Sequence, residues 1–140
     1  MTRRTILGLG LAIGAIALGA CDDGSQPTDP VWGKQACAAC GMLVSDRRHA
    51  AELTTSPGDR LYFDDVGCLV HYLRQRKPEV RGAWARDESR WVDARAARYA
   101  RGQKTPMDYG FSASASGDAT FEEVERVLVA RSDAEKAGPR

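Results

Sequence analysis

The chain has little sulfur and little imidazole: 140 residues carry four cysteines, three methionines and two histidines. It also lacks the features that announce an enzyme. No Ser/His/Asp arrangement and no glycine-rich phosphate loop stands out, so no catalysis is expected. A clustered basic face is missing too, which argues against a nucleic-acid partner. Arg95, Arg98 and Arg101 recur at spacing three and read as a solvated face. Setting aside Arg3 and Arg4 leaves 18 Lys+Arg against 19 Asp+Glu, a charge of about −1. The uncharged run from Ile6 to Ala20 is about fifteen residues, short of the roughly 20 that a membrane-spanning helix needs.

That run has the length of a secretory apolar core, and Arg3 and Arg4 supply its positive flank. It ends in Leu18-Gly19-Ala20-Cys21, which resembles a bacterial lipobox. Residues 1–20 are therefore expected to be a signal peptide, with Cys21 lipidated as the new N-terminus on the periplasmic side of a membrane. "TRRTIL" loosely resembles a twin-arginine signal, so general secretory and twin-arginine export both stay open. Asp22 would favour the inner membrane under enteric-type sorting. Residues 21–31 include "DDGSQPTDP", too polar to build a core, and are expected to be a flexible tether.

Residues 32–131 are expected to form one domain, followed by a polar tail over 132–140. "HAAELTT" (49–55) and "RLYFDD" (60–65) read as strands joined by the turn "SPGD". "DDVGCLVHYLRQRKP" reads as a helix capped by Asp64 or Asp65 and stopped at Lys77-Pro78. "GAWARD" (82–87) and "RWVDARAARYA" (90–100) read as two more strands, with Trp84 and Trp91 in the core of the second half. "YGFSASAS" (109–116) offers a further strand. "DATFEEVERVLVAR" reads as a second helix capped by Asp118 or Thr120. The class is α+β, with two small halves, each of antiparallel strands followed by a helix.

Assigning Cys21 to lipid leaves Cys37, Cys40 and Cys68. Three is an odd number for an oxidising compartment, and a disulfide framework explains two at most. Three chemistries compete. A zinc site could draw on Cys37, Cys40, Cys68 and His71, the last two lying one helical turn apart. It would make the domain a zinc-stabilised interaction module. A thiol–disulfide oxidoreductase would use the Cys37-x-x-Cys40 pair, but a helix opening at the motif, which lowers the thiol pKa in such proteins, is not expected after "CGM". Cu(I) accepts thiolate and thioether together. Met42 stands two residues after Cys40, and Met107 lies among turn residues in "KTPMDYGF". Both methionines are flanked by glycine-bearing loops. His49 and His71 are borderline ligands.

In order, "CxxCGM", "FDDxGCLxxYL", "WVDA" and "TPMxxG", behind a lipoprotein-like start, resemble the NosL family of nitrous oxide reductase accessory lipoproteins. The likeness spans roughly residues 37–130, with Met107 65 residues after Met42. It implies Cu(I) binding in the periplasm, and delivery to nitrous oxide reductase or its assembly machinery. The family's recurring Cys-x-Met and later turn methionine map onto Cys40, Met42 and Met107. Cys40 would anchor the ion, and Met42 and Met107 would add weak thioethers from opposite halves across a cleft. Cys37 would be auxiliary, as a fourth ligand or in a resting disulfide with Cys40. Cys68 has no fixed role in that pattern.

Overall fold

The computed structural model describes residues 25–138, so the expected signal peptide, Cys21 and the start of the tether lie outside the described residues. Strands β1 (Ala51–Thr55) and β2 (Arg60–Phe63) form the expected hairpin, in a register that pairs Ala51 with Phe63. Gly58 takes φ 101° in the connecting turn, a conformation that carries no Cβ penalty for glycine. Helix α1 (Val66–Arg76) follows at once. Asp65 caps it by accepting from the backbone N–H of Gly67, and Lys77 ends it in the left-handed region just before Pro78.

The chain returns as β3 (Val80–Asp87), antiparallel to β1, and turns into β4 (Arg90–Asp93). The sheet order is β2-β1-β3-β4, so the hairpins of the two halves share one sheet through β1 and β3. The strand expected over 90–100 is interrupted. The Asp93 carboxylate accepts from the backbone N–H groups of Arg95 and Ala96 at 2.8 and 3.1 Å, which turns the chain. An aspartate bonding its own backbone two residues on is a turn-forming device. The chain then enters β5 (Tyr99–Arg101), which pairs with β6 (Phe111–Ala113) in a separate two-stranded sheet. Helix α2 (Phe121–Ala137) begins at Thr120 with a full capping box to Glu123. It runs on through residues 132–137, where the sequence suggested only a polar tail. None of the helices among the described residues is long and apolar enough to cross a membrane.

The two-residue alternation along the sheet explains its faces. Ala51, Leu53, Phe63, Ala83 and Ala85 belong to the core, with Leu69 and Val70 of α1 and Val124 and Leu128 of α2. Tyr62, Glu52, Trp84 and Arg86 take the alternate, outer positions. That face is not open. Thr28 donates its backbone N–H to Glu52 at 2.7 Å and shares a hydrogen bond with the Tyr62 hydroxyl at 2.8 Å. Arg60 donates to the Gln26 carbonyl at 2.9 Å, and Glu52 is 0% exposed.

Farther along, the Arg86 guanidinium lies 5.7 Å from the Trp32 ring and 5.0 Å from the Trp91 ring, and donates to Asp29 at 3.2 Å. The Trp91 indole N–H donates to the same carboxylate at 2.9 Å. Residues 26–32, mostly assigned to a flexible tether on composition, are thus held on the sheet by polar and cation–π contacts. Trp84 and Trp91 are half-buried on this outer face instead of in the core, because alternation along β3 and β4 turns them away from the face that carries Ala83, Ala85 and Val92.

Candidate metal centre

The segment before β1 folds on itself. Cys37 donates its backbone N–H to the Met42 carbonyl at 2.7 Å, and Gly41 donates to the Cys37 carbonyl at 2.9 Å. Gly41 takes φ 77° to close this turn. Ala38 donates to the Tyr62 carbonyl at 2.8 Å, which ties the turn to β2. Just past the end of β2 the chain passes through Asp64 and Asp65 into α1, whose first turn carries Cys68. A tight turn, a strand end and a helix start therefore converge.

Their ligand atoms converge as well. One atom each from Cys37, Cys40, Asp64 and Cys68 lies within 4.8 Å of every other. The Cys40 sulfur is 3.5 Å from Asp64 Oδ1 and donates to that carboxylate. Cys37, Asp64 and Cys68 are 3%, 2% and 1% exposed, while Cys40 is half-buried and forms the open side. All three thiols are free. The set suits a soft metal ion: thiolates are its preferred ligands, and buried charges are stable when they coordinate one.

The sulfurs are electrostatically unequal. A hydrogen bond from the Cys68 thiol, aided by the backbone N–H groups of Cys40, Asp64 and Ala39, outweighs burial and draws the Cys37 thiol down to about 6. Burial pushes Cys40 up to about 11, with the charge developing on Cys37 adding to it. Cys68, the donor to Cys37, is held firmly protonated. One buried thiolate stabilised by neighbouring donors is a prepared landing point for a cation. It is a poor redox nucleophile, because the low-pKa sulfur is the enclosed one and exchange chemistry needs access.

The other sequence candidates are distributed around this cluster. Met42 is 54% exposed at the edge of the Cys37–Met42 turn, beside Leu43 at 54%. Met107 is half-buried and packs against the core. Its backbone N–H donates to Asp65 Oδ2 at 3.2 Å, so the Met107 loop is latched to the N-terminus of α1. His71 lines a cleft of about 280 Å³ that reaches Cys40 and Cys68 and includes Tyr109, Arg131 and Glu135. Burial lowers its pKa. His49 bonds Ser112 at 2.9 Å and lies 3.8 Å from Asp46. Neither histidine belongs to the four-residue cluster.

Asp64 is the residue sequence reasoning left out, having been taken with Asp65 as a cap. One aspartate is enough to cap a helix. Nothing in the sequence separates the capping aspartate from its neighbour; the burial of Asp64 beside the Cys40 sulfur does.

Tyr109 closes the cleft against α1. A Cβ on Gly67 would lie 2.1, 2.3 and 2.7 Å from Cδ2, Cγ and Cβ of Tyr109. Gly67→Ala should therefore displace the Tyr109 loop and cost about 2 kcal/mol, a typical overpacking penalty. Urea unfolding checks this. Adding Tyr109→Ala should return part of the loss, since the two residues are in contact.

No family model matches the chain, and no curated protein matches it. Among solved structures, the copper chaperone NosL from Shewanella denitrificans superposes with a TM-score of 0.55 at 16% identity, covering 75% of this chain and 87% of that one. The antiparallel strands, the helix after each set of strands and the α+β class are common to a NosL-like architecture. The chain has the fold of a NosL copper chaperone, with a thiol and carboxylate cluster able to hold a metal ion.

Proposed function

We propose that this domain is a carrier for Cu(I), tethered through Cys21 on the periplasmic side of a bacterial membrane, that passes its ion to nitrous oxide reductase or that enzyme's assembly machinery. The observation that carries the metal-binding part is the convergence of Cys37, Cys40 and Cys68 within 4.8 Å from separate stretches of chain. Cu(I) is stable with few soft ligands, so the three thiols can supply the core of its site. The NosL-like fold and the ordered "CxxCGM" and "TPMxxG" motifs support the choice of copper and of recipient.

The cargo would enter at Cys40, the half-buried sulfur, and settle on the Cys37 thiolate. Met42, exposed on the same turn, suits the exchange step, because a thioether is a weak ligand that a partner can displace. Met107 would add a thioether from the opposite half. Met107→Leu should weaken Cu(I) retention several-fold while leaving the unfolding midpoint nearly unchanged, since that swap conserves volume and hydrophobicity.

Native mass spectrometry of the reduced protein during Cu(I) titration tests the proposal, with one tight copper adduct expected. Proton release gives a second readout. Ligand thiols must be deprotonated, and Cys37, at about 6, is already thiolate near neutral pH. Binding at about pH 7.5 should release about two protons per ion, from Cys40 and Cys68. The number should rise toward three at about pH 5, where Cys37 begins protonated. Absence of a tight adduct refutes the carrier reading.

A further inference from the structure

Residues 26–32 are pinned to the sheet, and that fixes where the chain leaves the domain. Arg60 of β2 donates to the Gln26 carbonyl at 2.9 Å, Thr28 is bonded to Glu52 and Tyr62, and Pro30 is buried. The Tyr62 carbonyl accepts from Ala38 of the Cys37–Met42 turn at 2.8 Å. Strand β2 thus holds both the exit and that turn, at residues about 7 Å apart along it. From Gln26 back to Cys21 there are five residues, which span at most about 18 Å. A domain of about a hundred residues is roughly 35 Å across. With a lipid on Cys21, the exit cannot lie on the side of the domain away from the bilayer.

The surface beside that exit has the character of a lipid contact. Residues 31–36 and 42–44 lie side by side: Gly33 donates to the Val44 carbonyl at 2.9 Å, Val44 donates to the Gln35 carbonyl at 2.8 Å, and Ala36 bridges to Leu43. This platform carries Val31, Met42 and Leu43, which are 61%, 54% and 54% exposed. They are the exposed large apolar side chains among the described residues. Such side chains are ordinary when scattered, but these share one platform next to the tether. Lys34 and Arg47 flank them, exposed and without an ion pair among the described residues, and Arg47 lies 5.0 Å from the Trp32 ring. The nearby carboxylates are neutralised, Asp46 by Arg48 at 3.4 Å and Asp29 by Arg86 at 3.2 Å. Asp22 and Asp23 adjoin the anchor, so they meet the lipid in every orientation.

We infer that this platform rests on the bilayer, its apolar side chains at the headgroup boundary and Lys34 and Arg47 on anionic phospholipid. The inference rests on the lipidation of Cys21 in the proposed function. Its consequence for a carrier is a fixed orientation. The Cys40-bearing turn is held at the membrane surface, and the ion passes to a partner that reaches the same bilayer.

The test uses the full lipidated chain, isotope-labelled for NMR, in nanodiscs of phosphatidylcholine with a minor share of phosphatidylglycerol. A trace of lipid with a gadolinium-bearing headgroup supplies the probe. Amide broadening should be strongest over residues 31–36 and 42–48. It should be far weaker at Glu122 in the first turn of α2, about 14 Å along the helix from Arg131 at the cleft beside Cys40. Val31→Asp/Leu43→Asp, at exposed positions, should even out the broadening and leave the Cu(I) adduct intact. Lys34→Gln/Arg47→Gln should lower the ratio of oriented to unoriented domain by about tenfold or more, and discs of pure phosphatidylcholine should do the same. The measurement on the unvaried chain decides the matter even if a variant folds poorly. Even broadening across the unvaried lipidated chain, or strongest broadening on another face, overturns the inference and leaves the platform to a protein partner. Intact mass separates this from the anchor itself. A mature chain without acyl groups on Cys21 refutes the anchor and the inference with it, whereas a lipidated chain without a preferred face refutes the inference alone. A missing Cu(I) adduct in a chain that shows the expected broadening refutes the carrier reading alone.

Discussion

Cys40→Ser should lower Cu(I) affinity by more than about 100-fold, beyond the range seen when residues that merely support a metal ligand are removed. Serine keeps the size and the hydrogen bond to Asp64, but its hydroxyl is a hard donor that does not ionise near neutral pH. Cys40 is also the point where two arrangements meet: the buried thiol cluster on one side and the Cys40-Gly41-Met42 turn on the other. Its half-exposed position makes it the sulfur that an arriving ion meets first.

The double variant Cys37→Ser/Cys40→Ser should bind no Cu(I) tightly, because it leaves the cluster with Cys68 alone, which is 1% exposed. Competition against a colorimetric Cu(I) chelator measures both. Thermal unfolding of the apo variants should differ little from that of the starting protein, which separates loss of ligand from loss of fold. Unchanged affinity in Cys40→Ser would remove the basis for placing the ion at this cluster.

Gly117→Ala should be the most damaging single methyl in the domain, at about 3 kcal/mol, the upper part of the usual overpacking range. A Cβ there would stand 2.3, 2.5 and 2.6 Å from the C, O and N atoms of Tyr99. Those are backbone atoms, and they are clamped. Tyr99 donates to the Ala119 carbonyl at 2.9 Å and accepts from the Ala119 N–H at 3.1 Å. It also pairs with Ala113 across β5 and β6, and its side chain is fully buried, with the hydroxyl donating to Ala94 at 2.6 Å. Retreat would break the bridge that leads the chain into α2. A drop in Tm of roughly 15 °C is expected for a domain of this size. Ser116→Ala, exposed and one residue away, should fall within about 0.5 kcal/mol of the starting protein. A Gly117→Ala protein as stable as its parent would show that the close packing on Tyr99 is relieved at little cost.

Much of the local architecture was legible in the residues. "SPGD" turns the first hairpin because proline fixes its own φ and Gly58 accepts the positive φ the turn requires. Asp65 and Thr120 start helices because their side chains satisfy exposed N–H groups. Lys77-Pro78 stops α1 because the residue before proline is turned away from helical geometry. Each device acts within a few residues, so adjacent letters suffice to see it. The break at Asp93 is equally local, and the alternating "RWVDARAARYA" hid it by resembling one long strand.

The metal centre was legible by halves. Cys37 and Cys40 stand three apart, and a tight turn at that spacing can aim two sulfurs at one ion. Cys68 was recognised as a candidate without a settled place. Asp64 was hidden, because a carboxylate before a helix looks the same in sequence whether it caps that helix or faces a thiol contributed by a turn 24 residues earlier. The covering of the outer face escaped for a related reason. "QPTDP" has the composition of a linker, and its contacts are with Glu52, Tyr62, Arg86 and Trp91, all far along the chain.

Composition and short-range pattern were thus enough for the strands, the helices and their ends, and for the supply of soft donors. Which donors meet, which methionine stays at the surface and which aspartate looks inward followed from the pairing of β1 with β3 and the docking of the Cys37–Met42 turn on β2. Those contacts join residues distant in sequence, and their energy comes from burial and hydrogen bonds that exist once the whole chain has closed on itself.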